Sequence, residues 1–255
     1  PGLAGGVFAF AAAVKAFPIT VLPWLLWRRH WKASASLVAF LAVFLVLAPA
    51  PFRGFDRNVA ELGQWVEAMI GTEDGFGQRE TQNWSWKNQS VVAIVHRLTR
   101  PLDYLRVDGG DSQATMNLFD RTYDQANLIL LGVLAVLGIG FVAAMPPSSR
   151  TTRKSFAEET AILICLMTIT SPLARSYYFI WLLYPVTVLL WRAVEDPRPL
   201  VRRRTWIALV GGAVLGGVTA SRTLQAYGNA TIASLLFIVV LAWHMRNPPP
   251  SPATS

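Results

Sequence analysis

The densest run of reactive side chains reads Asn83-Trp84-Ser85-Trp86-Lys87-Asn88-Gln89-Ser90, then five apolar positions from Val91 to Val95, then His96-Arg97. Indole rings pack on the apolar faces of sugars, amides and hydroxyls bond to sugar oxygens, and cations hold phosphate. Trp84 and Trp86 alternate, which in an extended segment puts both rings on one side. Residues 90–96 read as a short helix with Asn88 or Gln89 near its start, and a helix start presents N–H groups that favour an anion. The competing reading is an interfacial helix that the Trp residues merely anchor. Asn83-Trp84-Ser85 and Asn88-Gln89-Ser90 also fit the glycan-acceptor pattern, a weak signal by itself.

Two further sites carry charge where the chain is otherwise apolar. Lys15 falls near the middle of a run of spanning length, where an ammonium costs ~2.5 to 3.5 kcal/mol unless it meets a cavity or a partner. The alternative is that its stem snorkels to an interface. Ser171-Pro172 breaks another apolar run, and Arg175 follows, then Tyr177 and Tyr178. A guanidinium beside two phenols suits phosphate recognition, whereas a plain turn with a Tyr belt explains the same residues structurally.

The elements that must position these groups are membrane helices. A chain that is 53% hydrophobic and 15% charged, with a mean hydropathy of +0.38, is too apolar for an ordinary soluble domain. Apolar segments at 3–27, 35–49, 127–145, 160–169, 179–191, 206–220 and 232–243 predict an all-α bundle of about seven spans, with the first two forming a hairpin. Pro18 and Pro23 predict a kink in the first. Residues 1–245 read as one membrane-embedded domain, 51–125 as its long polar loop, and 246–255 as a disordered Pro/Ser tail. No Met, basic leader or cleavage pattern precedes the first apolar run, so the expectation is a piece lacking its true N-terminus.

Basic residues orient the scheme. With the first span running inward, the inner loops carry 12 cations against the four acids Glu158, Glu159, Glu195 and Asp196. The loop 51–125 is then expected outside the cytoplasm. The net charge of +8 lies in clusters beside apolar segments, which argues against a nucleic-acid partner. Cys165 is the single cysteine, and the three histidines His30, His96 and His244 are scattered. There is no glycine-rich phosphate loop, no H-E-x-x-H and no nucleophile elbow, so no cofactor is expected.

The hairpin residues Lys15-Ala16-Phe17-Pro18 and Arg28-Arg29-His30-Trp31-Lys32, together with Asn88-Gln89-Ser90 leading to His96-Arg97 and the Ser171-Pro172 break, resemble glycosyltransferase family 87 over roughly residues 5–190. The resemblance implies a GT-C-type membrane mannosyltransferase that takes a sugar from a polyprenyl-phosphate donor to a lipid or glycan acceptor in the cell envelope, without a metal. It implies a bacterial plasma-membrane location and a catalytic Asp in a loop upstream of residue 1, so that the piece alone is expected to be inactive. Lys15, Lys87, Arg97 and Arg175 are then the expected donor-phosphate ligands. Trp84, Trp86, Asn88, Gln89, Ser90, Tyr177 and Tyr178 are the expected substrate contacts, and His96 is the candidate catalytic side chain. A transporter or flippase of lipid-linked substrates would share the buried Lys and the broken helices, but the chain shows no internal repeat.

Overall fold

In the computed structural model, residues 2–67, 83–105, 114–217 and 221–247 are described. The tail from 248 onward, the end of the sixth expected span, and the loop acids Glu73, Asp74 and Glu80 lie outside them. Every regular element among the described residues is helical. The chain divides into two compact units, residues 1–78 and 79–255.

In the first unit, α1 (Gly2–Val14) ends one residue before Lys15. A 3-10 turn, Phe17–Thr20, then carries Pro18, and α2 (Val21–Trp27) resumes the path. Pro18 lacks an N–H and restricts the residue before it, so the helix breaks at this point. Lys15 is therefore at a break rather than inside a continuous helix. The return helix α3 (Trp31–Ala42) runs through a π-helical stretch, Val43–Leu47, and a short turn, α4 (Ala50–Arg53). Gly5 lets α1 and α3 approach closely, since a Cβ there would stand 2.3 Å from the Ala33 carbonyl oxygen. Small residues at such crossings are the usual means of packing membrane helices. An amphipathic helix, α5 (Phe55–Val66), follows directly.

The second unit holds α6 (Val91–Thr99), α7 (Tyr123–Ala144) and α8 (Arg153–Thr170). After the break come a 3-10 stretch, Ser176–Leu182, and α9 (Leu183–Glu195). It closes with α10 (Pro199–Gly217), the short α11 (Arg222–Ala226) and α12 (Asn229–Arg246). Helix α12 packs between α8 and α10, and its Phe237 and Leu241 are buried with Ile162, Cys165, Leu189 and Leu209. Among the described residues, four helical stretches are long and apolar enough to cross a membrane: Trp31–Arg53, Tyr123–Ala144, Ser176–Glu195 and Asn229–Arg246. The protein is thus an all-α polytopic membrane bundle.

One end of this unit is tied by a buried ion cluster. Arg192 Nε donates to Glu158 Oε1 at 2.6 Å, and Arg198 donates twice to Asp196, at 2.9 Å each. His244 meets the Thr205 hydroxyl at 3.1 Å. Glu158, Arg192 and Asp196, read from the sequence as loop charges, instead join the ends of α8 and α9.

Candidate functional site

The polar run is a knot of backbone clamps. Ser90 caps α6, its hydroxyl accepting from the Ala93 N–H at 3.1 Å, the arrangement expected of a Ser at this position. Asn88 uses its whole amide. Its Nδ2 donates to the carbonyls of Asn83 and Pro172, both at 2.9 Å. Its Oδ1 accepts from the Ser90 N–H at 3.1 Å and the Ala174 N–H at 2.9 Å. The adjacent Gln89 N–H reaches the Ala174 carbonyl at 2.8 Å, and its side-chain oxygen accepts from the Ala230 N–H at 2.9 Å. The Thr231 hydroxyl bonds the Gln89 carbonyl. These bonds join the start of α6 to the helix break at 171–175 and to the start of α12. Gly228 makes the last junction possible: its φ of +79° is left-handed, and a Cβ would meet Ile94 Cδ1 at 2.1 Å.

Arg97 is sealed inside this knot, with none of its surface exposed. Its Nη1 donates to the carbonyls of Ser85 at 2.7 Å and Asn88 at 2.8 Å, and its Nη2 to that of Ala226 at 2.6 Å. Burial lowers its pKa to about 9, so the guanidinium stays charged at neutral pH. With Nη1 and Nη2 held by carbonyls and the side chain buried, Arg97 ties backbone segments together, and this geometry lends no support to its expected role as a donor-phosphate ligand. At the start of α6 the Ser90 and Ala93 N–H groups are already bonded, by Asn88 and Ser90, which lends no support to the expected anion site. In this arrangement Asn88, Gln89 and Ser90 serve as framework groups, Gln89 also lining the cavity described below.

His96 is buried too, under the Trp84 ring at 4.4 Å and beside Tyr123 at 5.4 Å between centroids. Arg100 Nη1 lies 3.3 Å from His96 Nδ1, and Asn127 Oδ1 lies 3.1 Å from Nε2. A guanidinium only donates, so Nδ1 must accept and the proton sits on Nε2, where it donates to Asn127. Burial first, and then the Arg100 charge, hold the imidazole pKa at about 4. Both ring nitrogens are engaged in this arrangement, so the geometry supports a positioning role for His96 and lends nothing to the expected catalytic one.

The two tryptophans part company. Trp84 packs with Val91, Val92, Val95 and Leu130, whereas Trp86 packs against Tyr104, Met116 and Ala226. Residues 84–87 form bends and turns instead of an extended segment, so the alternation does not align the rings. Half-buried Trp86 has two cations near its ring, Lys87 Nζ at 5.3 Å and the Arg222 guanidinium at 5.6 Å from the ring centre.

At the other side of the break, half-buried Arg175 sits at the N-cap of the 3-10 stretch. Tyr177 is exposed, and its ring meets Tyr178 edge-on at 4.5 Å. A cavity of about 270 Å³ opens beside them. Phe179, Leu182, Val186, Leu209 and Phe237 form its apolar walls, while Gln89, Ser176 and Asn229 supply polar groups. The walls suit a hydrocarbon chain and the polar groups a head group. Lys15 belongs to the first unit, where its ammonium stands 5.8 Å from the Phe17 ring centre.

Arg100, Asn127 and the Gln89 contacts to α12 were not singled out from the sequence. Arg100 carried a signal, since it lies one helical turn after His96. Asn127 and Ala230 carried none, being distant in the chain.

The model of glycosyltransferase family 87 matches residues 1–172. That span includes the Lys15 hairpin, Asn88 and its neighbours in the knot, and the break up to Pro172, and stops before Arg175 and the knot's partners at Ala174, Ala226 and Ala230. No curated protein and no solved structure matches the chain.

Proposed function

Because the chain belongs to glycosyltransferase family 87, we propose that this membrane glycosyltransferase moves mannose from a polyprenyl-phosphate donor to a lipid or glycan acceptor on the extracytoplasmic face of a bacterial plasma membrane. An acceptor hydroxyl attacks the anomeric carbon while the bond from that carbon to the phosphate oxygen breaks. The hydroxyl proton passes to a carboxylate, and polyprenyl phosphate departs with the bonding electrons. Cations at the phosphate lower the barrier by meeting the charge it gains.

The observation that carries this reading beyond the family is the apolar cavity with Gln89, Ser176 and Asn229 among its lining residues. A lipid-phosphate sugar needs a dry seat for its chain and a polar seat for its head, and this cavity adjoins the Arg175-Ser176-Tyr177-Tyr178 segment. Arg175 is the proposed phosphate ligand, with Lys87 as a further cation. Trp86, Tyr177 and Tyr178 are the proposed sugar-facing aromatics. The Asn88 knot holds the segments that carry Arg175 and Lys87.

Transfer of radiolabelled sugar from the lipid-phosphate donor by the full-length protein in vesicles tests the proposal. Transfer that needs a nucleotide sugar and ignores the lipid-phosphate donor would contradict it. ATP-independent movement of the intact donor across the bilayer, with no transfer, would favour the transporter reading.

A further inference from the structure

Helix α5 has a face that the proposed site does not use. Phe55, Val59, Leu62 and Val66 recur at steps of four, three and four, which lines them along one side of the helix. Phe55, Val59 and Val66 are 56%, 45% and 46% exposed, and Phe52 in the preceding turn is 89% exposed. Arg57 and Gln64 occupy the opposite side. Such a row of large apolar groups in water is unfavourable for a monomeric surface.

The helix is held at a set angle to the span it follows. Gly54, with φ of +81°, turns the chain between them. Buried Asn58 donates from Nδ2 to the Leu45 carbonyl at 2.9 Å, about two turns before the end of the span. Glu61 accepts ion pairs from Arg53 at 3.0 Å and from Arg57 at 2.9 Å. These contacts pin the Asn58 and Glu61 side of α5 and leave the apolar row outward.

The span itself shows an exposed apolar surface at Val38, Phe40, Val43 and Leu47, as a lipid-facing helix must. The α5 row continues that surface after a single residue, Gly54. Trp65, half exposed on the flank of the row, has the amphipathic ring found at membrane boundaries. A cavity of about 450 Å³ in this unit is walled by Leu41, Phe44, Leu45 and Trp65 and also by Leu62. Leu62 thus belongs both to the apolar row and to this cavity.

We infer that α5 is an interfacial helix: its Phe55, Val59, Leu62 and Val66 row lies among the acyl chains at the boundary where the span Trp31–Arg53 ends, with Arg57 and Gln64 turned to the head groups. The partner is the membrane lipid itself. This depends only on the chain being a membrane protein, and it stands whatever donor the enzyme uses.

Nitroxide labels at Val59→Cys and Gln64→Cys, each in the full-length protein with all of its native cysteines, Cys165 included, replaced by Ala, test it in vesicles of phosphatidylcholine and phosphatidylglycerol. The label at 59 is expected to relax strongly with oxygen and weakly with a water-soluble nickel chelate, and the label at 64 to show the reverse. Strong nickel relaxation at both positions would overturn the inference by placing the row in water. Shielding of 59 from both reagents would overturn it by placing the row against protein, whether another part of this chain or a second copy. Val66→Cys serves as the replacement if the Val59 variant does not fold, and it carries the same expectations.

Discussion

Asn88 and Pro172 are joined across 84 residues by a buried amide-to-carbonyl bond of 2.9 Å. Through that bond and its partner to Ala174, the loop before α6 fixes the helix break from which Arg175 projects. Framework and proposed chemistry are therefore adjacent but separate.

Asn88→Ala is expected to act on stability first. It removes four hydrogen bonds from buried backbone groups, and at ~1 kcal/mol net for each the loss is on the order of 4 kcal/mol. Heat-challenge size-exclusion of the detergent-solubilised protein should show a clearly lower midpoint than wild type. A wild-type midpoint with abolished transfer would return Asn88 to the substrate contacts.

Arg97→Lys should also fail structurally. A lysine supplies one point charge in place of a planar fork that reaches the carbonyls of Ser85, Asn88 and Ala226. The yield of monodisperse protein should fall, while the surviving fraction keeps its KM for the donor. A KM that rises in fully stable protein would mean that Arg97 does reach the phosphate.

Acid should loosen the knot through His96. The unfolded imidazole takes a proton near pH 6.5 and the folded one only near pH 4. Between those values the unfolded state binds more protons, so stability rises with pH across the window. The contribution is complete above pH 6.5 and is lost as pH falls toward 4, with a ceiling of about 3 kcal/mol. His96→Gln should flatten this part of the stability profile, and an unchanged slope in that variant would exclude His96 as its source.

Gly216 lines the 270 Å³ cavity, and a Cβ there would meet nothing within 4 Å. Gly216→Leu should therefore fold normally and obstruct the seat proposed for the donor chain. The KM for a long-chain donor is expected to rise about tenfold, or ~1.4 kcal/mol, with a smaller effect on a short-chain donor. Equal kinetics for both donors in this variant would place the chain elsewhere.

Much of the scaffold could be read from local pattern. Pro18 announces the break after α1, and four of the seven apolar runs announce the long apolar stretches found among the described residues. The start of α6 was legible to within two residues, with Asn88 or Gln89 expected there and Ser90 found as the cap. What escaped was set by distant partners: nothing near Arg97 in the chain distinguishes a cation that binds phosphate from one whose carbonyl partner is Ala226, 129 residues on. Trp84 and Trp86 misled because a turn replaced the extended segment that their alternation assumed. The apolar steps of α5 were present in the sequence, but they sat inside a stretch whose overall polarity read as loop.

Arg175 carries the central claim, because it is the cation beside the cavity that the Asn88 knot holds in place. A phosphate contact that strengthens as the leaving group gains charge contributes on the order of 2 to 4 kcal/mol to the transition state, or ~30- to 1000-fold in rate. The direct measurement is turnover of radiolabelled polyprenyl-phosphate mannose by full-length wild type, Arg175→Ala and Arg175→Lys in vesicles, normalised to folded protein. The account predicts at least ~10-fold lower turnover for Arg175→Ala, with incomplete recovery in Arg175→Lys because a point charge cannot offer two parallel donors. Wild-type turnover in the folded Arg175→Ala variant would contradict it.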